Sequence, residues 1–176
     1  ADPALLRQQW QENRQPERLA GLLPRMATGR TLYVDVNAAP GGDGSAAQPF
    51  QTIQDGINAA ETEDVVLVSP GLYREAISMK ARVAVVGAGD PEDVIIQAET
   101  KPSVACADEG ILQDLTVDSI SNFSEGVIEC ANASPIFNRI IVKYTGSALR
   151  SSGDDAIRIF NAEQAIIVNS VVENYW

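Results

Sequence analysis

Three similar segments, Leu115-Thr116-Val117-Asp118, Ile140-Ile141-Val142-Lys143 and Ser170-Val171-Val172-Glu173, end on charged residues offset by 25 and 30 positions. If the segments stack, Asp118, Lys143 and Glu173 form a row. Carboxylates in a row can hold a hard cation, and an amine beside them can take or give a proton. Two flanking acids favour the charged form of Lys143, so it acts as a base only where a cation absorbs the negative charge. Without one, the row is a solvated charge ladder. A second pair of carboxylates, Asp154 and Asp155, lies in Gly153-Asp154-Asp155-Ala156-Ile157 just before an apolar run, where a loop ending with acids before a strand is the plainer reading. With no His and only Cys106 and Cys130, zinc sites and Ser-His or Cys-His triads are excluded.

The charge is unevenly spread. The formal charge of −11 divides into five Arg against three acids over residues 1–30, and eight Lys or Arg against 21 acids over residues 31–176. An acidic body repels phosphate backbones and anionic membranes, which disfavours nucleic-acid binding. No apolar run is long enough for a membrane span. An acidic polysaccharide would need a bridging cation.

The elements that must position these residues change character along the chain. Residues 4–30 have Leu5, Leu6 and Trp10, then Leu19, Leu22 and Leu23, at helical spacing. They read as a helical N-terminal extension that packs on the body or binds a partner. Residues 31–176 form the second unit. Leu32 to Val36 is a short strand, and Pro40 to Ser45 is a glycine-rich loop that lacks the Lys-Ser/Thr ending of a phosphate-binding loop. Thr52 to Ala60 puts Ile53, Ile57 and Ala60 on one helical face.

Brief apolar runs follow, from Val65–Val68 to Ile166–Val172, with no room between them for helices of ordinary length. Parallel strands in a flat sheet would need such crossovers, so a coil that winds strand after strand is the economical alternative. Val104-Ala105-Cys106 and Ile128-Glu129-Cys130 lie on neighbouring coils in this scheme, with the cysteines at equivalent points. Stacked buried thiols and a disulfide both fit, and the thiol stack is the expectation.

The ordered stretch Leu32-Tyr33-Val34-Asp35, Gly42-Asp43-Gly44-Ser45, Pro49-Phe50-Gln51-Thr52-Ile53-Gln54, Asp64-Val65-Val66-Leu67-Val68 and Pro70-Gly71-Leu72-Tyr73-Arg74-Glu75 resembles the N-terminal opening of pectate-lyase-like β-helix proteins. The resemblance covers about residues 31–98. It implies a right-handed parallel β-helix of about five coils, with the helix at 52–60 capping its N-terminal end and Gly71 and Tyr73 shaping the first corner. It also implies a secreted, periplasmic or cell-surface carbohydrate-interacting protein, the N-terminal part of a longer polysaccharide lyase, hydrolase or esterase. The alternative is a non-catalytic structural or protein-interaction module.

In such lyases a row of carboxylates holds Ca²⁺ beside a basic residue, and the resemblance makes Lys143 the catalytic candidate with Asp118 and Glu173 as metal ligands. Asp154 and Asp155 are similar to the paired aspartates of polygalacturonase-like hydrolases. The departures are the missing His and Asn132-Ala133-Ser134 where that family has another Asp. Gln113, Asp114 and Arg139 have the residue types of a pectin-methylesterase-like site without its surrounding motifs, and Gln113, Asn138 and Asn169 suit amide contacts at coil corners. Arg139, Tyr175 and Trp176 are the candidate substrate-binding residues. Tyr175 and Trp176 have two further readings: they cover an open end of the coil, or they face a protein partner or a missing continuation.

Overall fold

The computed structural model describes residues 29–100, 102–120, 126–146 and 155–173. Residues 4–28 of the expected helical extension, and Asp154, Tyr175 and Trp176, lie outside them.

The chain opens with β1 (Thr31–Val34), followed by the glycine-rich loop, which folds back on the strand. Tyr33 N–H donates to the Gly44 carbonyl at 2.8 Å and Phe50 N–H to the Tyr33 carbonyl at 2.9 Å. Gly41 and Gly44 take φ of 85° and 80°, the left-handed region that glycine enters without a Cβ penalty. The loop is a backbone turn, as its composition suggests.

Helix α1 (Ile53–Ala59) follows. Thr52 caps it, its hydroxyl accepting from Asp55 N–H at 3.1 Å. Ile53 and Ile57 are buried, and so is Ala60 at the C-cap. Gly56 sits so near the first strands that a Cβ there would lie 2.8 Å from Val66 Cγ1 and 2.9 Å from Val34 Cγ2.

From Val65 the chain winds. The strands are β2 (Val65–Val68), β3 (Gly71–Tyr73), β4 (Ile77–Ser78), β5 (Ala84–Gly87), β6 (Val94–Ala98), β7 (Val104–Ala105), β8 (Ile111–Ser119), β9 (Ile128–Ala131), β10 (Ile136–Tyr144), β11 (Ile157–Phe160), β12 (Ile166–Val168) and β13 (Val171–Glu173). All ladders are parallel. Strands β4, β7, β9 and β11 form one sheet, hereafter sheet B. The other sheet is bent. Its first limb runs β1, β2, β5, the start of β8, the start of β10, and β12; its second runs β3, β6, the rest of β8 and β10, and β13. The architecture is a right-handed parallel β-helix, the hand that parallel crossovers adopt.

The bend between the limbs lies at one residue per coil. Asp114, Arg139 and Asn169 have φ of 56°, 51° and 51° and are spaced by the same 25 and 30 residues as the sequence repeat. One coil earlier Gly87 stacks there, and a Cβ on it would overlap the Asp114 carbonyl oxygen. The inward positions form one core: Val66, Val85, Leu112 and Phe137 from the first limb, Tyr73, Ile96, Val117 and Val142 from the second, and Ile77, Val104, Ile128 and Cys130 from sheet B.

The cysteine expectation is overturned. Cys106 and Cys130 are joined as a disulfide, with Cα atoms 4.7 Å apart. The ladder Val104↔Ile128 and Ala105↔Glu129 puts them on adjacent rungs, and one strand spacing lies within the range a disulfide spans.

Candidate functional site

Outward-facing side chains line up across the coils in three places, and the candidate residues are divided among them.

The first is the second limb of the bent sheet. Lys143 is in register with Asp118 on one side and Glu173 on the other, so the row read from the repeat exists. Gln97 extends it, paired with Asp118. The Asp118 carboxylate is 2% exposed, and its partners are amide and hydroxyl groups rather than the lysine: Gln97 Nε2 donates at 2.9 Å and Thr145 Oγ1 at 2.7 Å, both to Oδ2. Gln97 Oε1 accepts in turn from Arg74 at 3.0 Å. The other oxygen of Asp118, Oδ1, is buried without a hydrogen bond. Among the described residues no group of three or more His, Cys, Asp or Glu side chains is arranged to hold a metal ion.

The second place is the bend. Arg139 Nε lies 2.9 Å from Asp114 Oδ1, and its Nη2 lies 3.4 Å from Asp90 Oδ1. Gln113 Nε2 donates to Asp114 Oδ2 at 2.9 Å. Two aspartates, an arginine and a glutamine thus converge, but the arginine bridges the loop before β6 to the bend of β8 and is largely covered. Asn169 donates to Asn138 at 3.2 Å, the amide contact between coils that the sequence suggested.

The third place is the outer face of sheet B, which sequence reasoning largely missed. Asp155, the described member of the acid pair, precedes β11. Arg158 faces outward between two carboxylates, 3.5 Å from Asp155 and 3.6 Å from Glu129 on the neighbouring strand. Phe160 lies two residues on, on the same face, and is 42% exposed. Asp155, Ile157, Arg158, Ile159 and Phe160 line a shallow depression. Phe160 was readable only as one more apolar residue in a strand, because alternation shows its face only once the register is known.

Lys143, Asp118 and Glu173 therefore share one row, Arg139 stands at the bend four residues before the lysine, and Asp155 belongs to another sheet. Among the described residues no helix is long and apolar enough to cross a membrane.

No family model matches the chain, and no curated protein matches it. Among solved structures it is similar to the pectin methylesterase PemA from Erwinia chrysanthemi, at a TM-score of 0.55 and 16% identity, over 68% of this chain. The matched part is 44% of that enzyme's structure. At this identity the likeness shows the fold and no more: the chain shares the parallel β-helix of that enzyme.

Proposed function

We propose that the protein binds carbohydrate and that its contact surface is the outer face of sheet B around Phe160. The observation that carries this reading is the exposed Phe160 ring beside Arg158, with Glu129 and Asp155 flanking the guanidinium. An aromatic face packs on the C–H side of a sugar ring while charged groups take its polar edge. Parallel strands set outward side chains one strand spacing apart, as Arg158 and Glu129 are here, which suits an extended polymer laid across the coils. A structural neighbour named for pectin supports the same class. The Cys106–Cys130 disulfide supports a secreted, periplasmic or cell-surface location, where disulfides form and persist.

A calcium-dependent lyase with Lys143 as base and Asp118 and Glu173 as ligands is the second reading, favoured by their register. The engagement of Asp118 with Gln97 and Thr145 weighs for the first.

Affinity electrophoresis through gels containing pectin, polygalacturonate or a neutral glucan tests the proposal. Retardation is expected in at least one gel, with Phe160→Ala weakening binding about 10-fold, the worth of one aromatic contact, and Lys143→Ala leaving it unchanged. Mobility unchanged in every gel would sink the carbohydrate reading and leave a structural or protein-interaction module. Absorbance from unsaturated products, formed with calcium and lost in Lys143→Ala, would transfer the function to the lysine row.

A further inference from the structure

The charges beside Phe160 bear on which sugar polymer its face can take. By register and alternation the outward residues of sheet B are Ser78, Ala105 and Glu129, then Ala131, Arg158 and Phe160. Arg158 is the one cation among them. It lies between two carboxylates, its Nη1 3.6 Å from Glu129 and its Nε 3.5 Å from Asp155, so two negative charges face one positive charge. The surroundings do not restore positive potential, since residues 31–176 carry 21 acids against eight Lys or Arg. At 3.6 Å the pair of Arg158 with Glu129 is held by charge rather than by a close hydrogen bond. Ala131, exposed and in register with Phe160, presents only a methyl group, which leaves room beside the ring on that rung.

We propose that this face selects a neutral, hydroxyl-rich polysaccharide and rejects uronans, a selection that rests on the carbohydrate reading above. A uronan is ionised at neutral pH and carries its carboxylates at sugar spacing. Stacked on Phe160, it brings like charge against Glu129 and Asp155, and the guanidinium that would compensate is already neutralised by them. An amino-sugar polymer meets the guanidinium itself at the centre of the site. A sugar hydroxyl has neither problem, because it both donates and accepts: the carboxylates take its proton, and the guanidinium N–H groups donate to its oxygen. Neutral rings also present the C–H faces that pack on an aromatic side chain.

Titration calorimetry of the full chain in EDTA tests this, with hexasaccharides of glucose, galactose, xylose, galacturonate and glucosamine as probes. Binding at this face is the part that Phe160→Ala weakens. At least one neutral hexasaccharide is expected to bind there, with an affinity that changes less than about 2-fold between about 0.05 and 0.5 M NaCl. The galacturonate hexasaccharide is expected to bind about 10-fold more weakly or not at all. Glu129→Gln combined with Asp155→Asn leaves Arg158 without its two counter-charges and should raise galacturonate affinity several-fold, with the circular dichroism of the fold retained. Phe160-dependent binding of galacturonate or glucosamine as tight as that of the neutral probes overturns the proposal and leaves the carbohydrate reading standing. An unchanged galacturonate affinity in the double variant overturns it too, because the carboxylates would then not set the selection. Absence of Phe160-dependent binding to every probe would sink the carbohydrate reading itself, and this selection with it.

Discussion

The first and the last described coils cover their apolar positions in opposite ways. At the N-terminal end α1 lies against β1, β2 and β4, with Ile53, Ile57 and Ala60 no more than 2% exposed. The first coil also holds that helix by its backbone: Glu75 accepts from Ile53 N–H at 2.8 Å and from Gln54 N–H at 3.0 Å. Burial pushes the Glu75 carboxyl above its ordinary range, and the two backbone N–H groups oppose that push. Beneath it Tyr73, 1% exposed, donates to the Ser69 carbonyl at 2.9 Å and accepts from Val36 N–H at 3.2 Å, and burial pushes its phenol up to about 12. Within the described residues the last coil has no counterpart to any of this. In a stack where each rung is held by its neighbours, local stability should fall from the first coil toward the last described one.

The largest expected effect compares one isoleucine at each end. Ile57→Ala removes a fully buried side chain from the cap and should cost about 3–4 kcal/mol in a denaturant titration. Ile167→Ala removes one that keeps nearly half of its exposure and should cost less than about 1 kcal/mol. Equal losses would mean that the last coil is as well packed as the first, and the gradient would be wrong.

The disulfide lies between the ends, joining sheet B strands in the second and third coils. It closes 24 residues of chain, so the Cys106→Ala/Cys130→Ala pair should lose about 3 kcal/mol on the chain-entropy account. Without that link, hydrogen exchange should show β9 to β13 opening before β1 to β5. Uniform acceleration along the chain would show one cooperative unit, with the ends differing in appearance only.

Much of this contrast was legible beforehand. The apolar pattern of Thr52–Ala60 placed the helix and the family resemblance its capping role, and the repeat placed Asp118, Lys143 and Glu173 in register, because stacking converts a sequence period into a spatial row. The bend residues were hidden: Asp114, Arg139 and Asn169 share a left-handed backbone but no side-chain type, so composition carries no signal for them. Strand β3 falls where the resemblance puts a corner, since Gly71–Tyr73 is too short to show alternation. The oxidation of Cys106 and Cys130 is not legible in the sequence, because register brings two cysteines together whether or not they are bonded. The sheet B face was invisible for a related reason: Arg158, Phe160 and Glu129 become neighbours only through the pairing of β9 with β11.

The smallest expected effect sharpens the sealed end alone. Asp64, 3% exposed, accepts from Arg30 N–H at 2.7 Å, from Glu61 N–H at 2.9 Å and from the Arg30 guanidinium at 2.8 Å, tying the start of β1 to the turn after α1. Burial pushes its carboxyl up, but these hydrogen bonds and the arginine's charge together hold it below the ordinary carboxylate value. The folded state therefore releases this proton more readily than the unfolded chain does. Its contribution is complete above the unfolded-state value of about 3.9 and is lost as the pH falls through the lower folded-state one. Asp64→Asn removes that acid-linked loss and should cost about 2 kcal/mol at neutral pH, chiefly through the backbone N–H groups left without a carboxylate. The Arg30 side chain is 57% exposed, so its ion pair is screened by water and added salt should change little. Urea midpoints at neutral pH and in acid, for both proteins, check the sign: the gap between them should narrow on acidification. A gap that widens in acid would show that the hydrogen bonds do not outweigh the burial of Asp64.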